Sequence, residues 1–458
     1  MRAAHLAGGV SGPDALRPLL DTVLDALRDG AVARGGPLPG GGPKGVADRV
    51  RESVGAVLPE QGAGADEALR VVVHALAAGA ADPAHPLCAA HLHTPPLALA
   101  AAADLAASVL NPSLDSWDQA PAASALEALV TAAVAAEVHP TAPAPDALVT
   151  TGGTESNQLA LLLARERHPA VRTVVGANAH HSFHRAAWLL GLPEPVVVPA
   201  PSGTVDLVAL DEALTDLTGP TLVVATAGTT DAGLIDPLPE IADLCAAHGH
   251  ADLHVDAAYG GPVLFSDTHR RLLTGLERAR TVTVDLHKLG WQPAAAGLLA
   301  VRDAADLAVL GHTADYLNAD DDTDAGLPDL LGRSLRTTRR PDVLKTAVTL
   351  RALGRTGLGA LVDACMARAQ HLADLVEKAP GLELYARPAL TTVLFRPYDA
   401  TDTTVAEIRR TLLTEGRAVL GRAVADGRLW LKATLLHPHA TPGDLAEILT
   451  LVEGGTHR

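Results

Sequence analysis

Three short stretches carry residues whose types and spacing could do chemistry. The first, Thr150–Asn157, reads TTGGTESN. Two glycines ahead of a helix let the backbone approach a ligand closely. The helix start then offers unpaired N–H groups and the positive end of its dipole, so an anion such as phosphate fits there. Thr154 adds a hydroxyl donor. Such turns also open helices for purely conformational reasons, and no Gly-Lys-Ser/Thr follows to make this a P-loop. The second, His254–Gly261, reads HVDAAYGG and ends an apolar run with Asp256. That carboxylate could pair with a protonated ring nitrogen, bind a metal or cap a turn. Ala257 and Ala258 are small enough to let a flat ring lie against the backbone. The third, Thr281–Asp285, leads into His287 and Lys288. Lysine is rarely buried unless paired or functional, and a desolvated amine at a strand end forms imines readily. A lysine pointing to solvent is the plain alternative.

Other residues compete for attention. His180, His181 and His184 form an HHxxH cluster, and His91 and His93 an HxH, both compatible with metal binding. The HxH would suit a metal-dependent amidohydrolase, a competing reading from another enzyme class. Tyr316 sits in DYLNADDDTDAGLPD, polar, acidic and Gly-containing as a closing lid would be. The bland reading is a surface loop with a stray tyrosine. Cys245 and Cys365 fall in helical patterns and read as core.

These stretches need a scaffold. Ala147–Thr151, Thr173–Gly176, Val196–Val198, Thr221–Thr226, Leu253–Asp256, Thr281–Asp285 and Gly297–Val301 read as strands, with helices such as Thr154–Glu166 and Pro239–His248 between them. That alternation predicts an α/β fold with a mostly parallel central sheet and helices on both faces. Ligands in such sheets sit at the carboxyl ends of the strands, where all three stretches fall. Before the sheet, Pro13–Asp29 and Asp66–Ala78 read as helices around a Gly/Pro-rich loop, Gly35–Lys44. After it, Pro341–Leu361 and Cys365–Lys378 read as long helices, followed by strands near Thr391–Phe395 and Leu429–Thr434. The expected organisation is an N-terminal helical segment over 1–85, a large domain over 86–345 and a small C-terminal α+β domain over 346–458.

A phosphate-binding turn, a strand-end aspartate and a strand-end lysine 32 residues later follow the order used by pyridoxal-5′-phosphate (PLP) enzymes of the aspartate-aminotransferase fold (fold type I). More narrowly, the chain resembles the group II PLP-dependent amino-acid decarboxylases. The resemblance runs from about His85 to His439 through HPLCAAHLHTPP, NPSLDSWDQAP, TTGGTESNQLALLLAR, AHHSFHRAA, ATAGTTDAGLIDPL, HVDAAYGG, VDLHK, DYLN, SLRTTRRPDVLK and LWLKATLLHP. It implies that Lys288 holds the cofactor as an imine, that Asp256 pairs with the pyridine nitrogen, and that His180 stacks on the ring. Gly153, Thr154 and His287 are implied as phosphate contacts, with Asp285, Thr230 and Ala258 close to the cofactor. Tyr316 matches a lid tyrosine that reaches the partner subunit's site and suits protonation of the substrate carbon. His85, His91, His93, Thr94 and Trp117 are implied around the substrate pocket. No metal is implied. The family forms homodimers with the active site at the interface and N-terminal helices wrapped across it. A non-catalytic descendant would be expected to have lost Lys288, Asp256 or Tyr316, and all are present.

Composition bounds the rest. The chain has 458 residues, 48% hydrophobic and 19% charged, as in a folded globular protein of more than one domain. A formal net charge of −17 argues against a nucleic-acid groove. Cys88, Cys245 and Cys365 form no disulfide framework. Met1–Pro13 lacks a signal-like apolar stretch, and the apolar run Leu97–Leu110 is interrupted by Asp104 and short for a bilayer. A soluble cytoplasmic protein is expected, with no membrane partner. Eleven aromatic residues (four Trp, four Tyr, three Phe) make an aromatic-lined pocket hard to build. HLHTPP and DSWDQ look closest to the bacterial diaminobutyrate and lysine decarboxylases. L-2,4-Diaminobutyrate is therefore the leading substrate, with lysine or ornithine next. Alternatives are an aromatic or other amino acid, or an oxygen-consuming, aldehyde-forming reaction. Leu289-Gly290-Trp291 and Ala294–Ala296 depart from the branch beside the lysine and could reshape the pocket.

Overall fold

The structure is a computed structural model that describes residues 5–311 and 320–455. Helices α1 (Gly12–Arg34), α2 (Gly42–Val54) and α3 (Ala65–Gly79) come first. The helix α2 is a departure from the expected 35–44 loop, which ends at Gly41. Pro43 falls in the opening turn, where a missing N–H costs nothing and the fixed φ suits a helix.

Strand β1 (Cys88–Ala89) and helices α4 (Ala98–Leu110) and α5 (Pro121–Val138) lead into the central sheet. Its strands are β2 (Asp146–Thr150), β3 (Arg172–Gly176), β4 (Val196–Val198), β5 (Thr221–Thr226), β6 (Ala251–Ala257), β7 (Thr281–Asp285) and β8 (Gly297–Val301). They lie in the order β2-β8-β7-β6-β5-β3-β4. β8 runs antiparallel to both its neighbours, and the remaining pairings are parallel. Helices α6 (Gly153–Arg167), α7 (Ser182–Leu189), α8 (Leu207–Asp216) and α9 (Leu238–His248) make the crossovers.

Side chains alternate between the two faces with the strand period of two. In β5, Val223 and Ala225 join one core cluster while Leu222 and Val224 join the cluster around Phe183 on the opposite face. Burial on both sides explains why the central strands read as unbroken apolar runs. The apolar helix α5 buries Val130, Val134 and Val138 in the first of these cores. It also carries Glu127, paired at 2.8 Å with the equally buried Arg339.

A helical turn, α10 (Asp320–Asp324), precedes the long α11 (Val343–Lys378). The two helices expected there do exist, but the break falls at Gly354 rather than near residue 362, because Gly354 takes φ 60° and ψ −176°. Strands β9 (Leu382–Leu384), β10 (Thr392–Pro397), β11 (Val419–Ala425) and β12 (Arg428–Thr434), with α12 (Asp402–Glu415) and α13 (Pro442–Gly455), complete the chain. The second sheet has the order β1-β11-β12-β10-β9, and Cys88 pairs with Val419 in parallel register. The chain therefore lends a strand to the small sheet before it enters the large one. The division expected between residues 345 and 346 falls inside the first turn of α11.

Candidate active site

Five strand ends open onto one cavity of about 370 Å³, within the range of ligand pockets. From the end of β2 come Thr151, Gly152, Gly153 and Thr154. Gly152 has φ 154°, a conformation that disfavours other residues. A Cβ on Gly153 would stand 3.0 Å from Ala258 Cβ and 3.1 Å from Asp285 Oδ2, so any side chain there would push these neighbours back by a few tenths of an ångström. His180 follows β3, Thr226 and Thr230 follow β5, Asp256 and Ala258 end β6, and Asp285, His287 and Lys288 end β7. Residues as far apart as Thr151 and Lys288 thus meet because parallel strands deliver their carboxyl ends to one edge.

Charges in the cavity are ordered by short contacts. Lys288 Nζ lies 2.9 Å from Asp285 Oδ2, and His287 Nε2 lies 3.6 Å from the same oxygen. Asp256 accepts through Oδ1 from the Ala258 N–H (3.1 Å) and through Oδ2 from Asn157 Nδ2 (2.8 Å). Burial pushes both His180 and His287 below the usual imidazole pKa, against the pull of Asp256 on the first and Asp285 on the second.

Several supporting residues escaped sequence reasoning. Asn157, Ser182, Thr283 and His254 are buried behind Asp256 in a continuous hydrogen-bonded group. Asp236 accepts from the Thr226 and Val205 N–H groups and from Asn178 Nδ2, which clamps the end of β5. Burial raises its carboxyl pKa in spite of those donors. Tyr259 reaches Thr391 and Thr392 at 2.7 and 2.9 Å, joining the β6 end to the small sheet. Lys432 donates to the Thr230 carbonyl at 2.8 Å from the same side. The only sequence signal was their presence inside the quoted motifs.

Of the residues expected around the substrate, none is among those lining this cavity within one chain. Leu92 lines the cavity, whereas His91 and His93 on either side of it are exposed. Thr94 is buried, its hydroxyl without a partner among the described residues. His85 holds a turn, its Nδ1 accepting from the Leu87 N–H at 3.2 Å. Trp117 lies away from the cavity, in a separate hollow with Glu127, Asp146 and Arg333. Leu289 and Trp291 are not among the residues lining the cavity. Both are fully buried, and Trp291 Nε1 donates to the Leu436 carbonyl at 2.8 Å. Tyr316 lies outside the described residues.

The cavity suits a flat, phosphorylated ring. Asp285 Oδ1 and Thr226 Oγ1 are buried without a hydrogen-bond partner among the described residues, which buried polar atoms rarely are unless a ligand completes them. The glycine turn and the α6 start supply the anion site.

Residues 52–398 match the pyridoxal-dependent decarboxylase conserved domain. The chain is 42% identical over 417 residues to the L-2,4-diaminobutyrate decarboxylase of Rhizobium meliloti, covering 86% of this chain and 83% of that one. It is 30% identical over 441 residues to the enzyme of the same name from Acinetobacter baumannii, covering 88% and 86%. Among solved structures, the glutamate decarboxylase domain of diaminobutyrate-pyruvate transaminase and L-2,4-diaminobutyrate decarboxylase from Vibrio parahaemolyticus superposes with a TM-score of 0.88 at 31% identity, covering 99% and 98%. These matches displace the amidohydrolase reading of His91 and His93. Taken with a lysine and an aspartate at adjacent strand ends of one cavity, they show that the chain belongs to the pyridoxal-dependent decarboxylase family and is a PLP-dependent amino-acid decarboxylase of fold type I.

Proposed function

We propose that the enzyme removes CO2 from a basic aliphatic L-amino acid, L-2,4-diaminobutyrate first, releasing the diamine. The observation that carries the substrate is the 42% identity to a diaminobutyrate decarboxylase over most of both chains. The cavity supports it: among the described lining residues Tyr259 is the one phenyl ring, and its hydroxyl is tied to Thr391 and Thr392. Little remains there for stacking an aromatic substrate.

When bound, PLP supplies an electron sink for the pair left on Cα as CO2 departs. Lys288 is the amine that would tether its aldehyde. Asp256, fixed by two donors, would hold a proton on the ring nitrogen by charge pairing. His180 would lie on the ring face and fix its plane, so that the scissile carboxylate stands perpendicular to it. Gly153, Thr154 and His287 would hold the phosphate, and Ala258 leaves space for the ring. We assign delivery of the proton to Cα to Tyr316, on family resemblance.

We place the active form as a homodimer. Leu24, Leu27 and Val32 of α1 and Val72 and Leu76 of α3 are exposed, an apolar surface that a second copy would cover. Cys88, Cys245 and Cys365 are free thiols, as suits the reducing cytoplasm in which we place the protein.

CO2 release by the holoenzyme from diaminobutyrate, ornithine, lysine, glutamate and tyrosine tests this reading. The highest kcat/KM should fall on diaminobutyrate with no oxygen uptake at an electrode. A preference for glutamate or tyrosine, or stoichiometric oxygen consumption, would overturn it. Light scattering should give twice the chain mass.

A further inference from the structure

In the wall of the cavity, Asn157 joins the two side chains assigned to the cofactor ring, an inference that rests on the roles given above to Asp256 and His180. The Asn157 carboxamide has four partners. Its Nδ2 lies 2.8 Å from Asp256 Oδ2 and 2.9 Å from Ser182 Oγ, and its Oδ1 lies 2.8 Å from Thr283 Oγ1 and 3.2 Å from His254 Nε2. An ionised carboxylate can only accept, so the NH2 must face Asp256 and the oxygen must face Thr283 and His254. That choice sets every other proton in the group. His254 carries its proton on Nε2, leaving Nδ1 to accept from Thr281 Oγ1 at 2.8 Å. Ser182 Oγ accepts from Asn157, so its hydrogen is free to go to His180 Nδ1 at 2.9 Å. The Ser182 N–H also points to that nitrogen, at 3.3 Å, and an N–H has no choice but to donate. His180 Nδ1 is therefore an acceptor, and the imidazole proton sits on Nε2.

We propose that Asn157 is a positioning residue that holds Asp256 against the cofactor ring nitrogen and, through Ser182, fixes the tautomer of His180. Asn157, Ser182, Thr283 and His254 are each at most 1% exposed, so water cannot replace a missing partner. Losing the carboxamide leaves Asp256 Oδ2 without its donor and removes the donor to Ser182 at the same time.

Imidazole 15N spectra of the apoenzyme test the proton arrangement without the cofactor. Signals are assigned by their loss in His180→Gln and His254→Gln. Both rings should show protonated Nε2 and bare Nδ1, and a protonated Nδ1 on either overturns the proposal. Asn157→Leu and Asn157→Asp then test the consequence. Asn157→Leu should raise the PLP dissociation constant three- to ten-fold and lower kcat with KM nearly unchanged. Asn157→Asp, although the same size, sets a second carboxylate against Asp256 and should bind PLP at least ten-fold more weakly than wild type, and more weakly than the leucine variant. If the aspartate variant binds PLP like wild type, Asn157 only fills space and the proposal fails. Wild-type protein that takes up no PLP would overturn this inference and the reading beneath it together, whereas a wrong tautomer overturns this inference alone.

Discussion

At the scale of single residues, the site depends on charges held apart from water by named partners. Lys288 Nζ sits against Asp285, 2.9 Å away, at the mouth of the glycine turn. Borohydride reduction of the holoenzyme should fix the cofactor on the peptide that bears Lys288, as read by mass spectrometry. Lys288→Ala should lower turnover by about three orders of magnitude or more, since removing a covalent anchor costs far more than removing one hydrogen bond. Label on another peptide would refute the assignment. Arg339 and Glu127 make the contrasting case of a buried pair away from the chemistry, bonded at 2.8 and 3.0 Å. Breaking such a pair leaves an uncompensated charge and costs about 3–5 kcal/mol. Arg339→Ala should therefore lower the urea midpoint sharply, while the double variant Arg339→Met with Glu127→Leu recovers part of the loss.

At the scale of elements, function is carried by how strands end. The junction of β2 and α6 needs Gly152 twice over: its φ is 154°, and a Cβ there would stand 2.9 Å from His287 Cε1. Gly152→Ala should fold, with the PLP dissociation constant raised at least ten-fold, because strain and displacement of His287 both fall on the phosphate site. Unchanged affinity in a fluorescence titration would show that the turn does not hold the phosphate. Tyr259 and Lys432 extend the same logic across the two sheets, tying the ends of β6 and β5 to β10 and β12. These contacts join the small sheet to the strand ends that line the cavity.

The whole molecule carries a pH signature in its buried imidazoles. Burial lowers His139 and His254 from the ordinary 6.5 to about 4, and each sits in the protein as a neutral ring. Between pH 6.5 and 4 the unfolded chain therefore binds protons that the folded one refuses. The stability these groups contribute is complete above pH 6.5 and is lost as pH falls through that window, at roughly 1.4 kcal/mol per pH unit for each group. Urea midpoints measured from pH 7 to 4 should fall with decreasing pH, and His254→Gln should flatten the curve. An identical slope in the variant would contradict this assignment. Carboxylates add a further acid loss at lower pH, where the ion pair of Asp104 with Arg340 and Lys345, which holds Asp104 below its usual range, is titrated.

Local pattern alone determined much of this protein. The apolar runs located the strands of the large sheet to within a residue or two at most ends, because strands buried on both faces must be apolar throughout. TTGGTESN, HVDAAYGG and VDLHK were legible through their order and the family resemblance they carry together, since each alone has a plain reading and Lys288 is only half-buried. Helix α2 and the break at Gly354 were harder to read, since Gly and Pro mark a helix start as readily as a loop. Tertiary structure alone decided which polar residues share a face. Asn157 meets Asp256 only because α6 crosses over the end of β6, and Leu92, not its histidine neighbours, reaches the cavity. Hydrogen bonds between residues about a hundred positions apart leave no periodic trace in a sequence; they exist once parallel strands bring their ends to one edge.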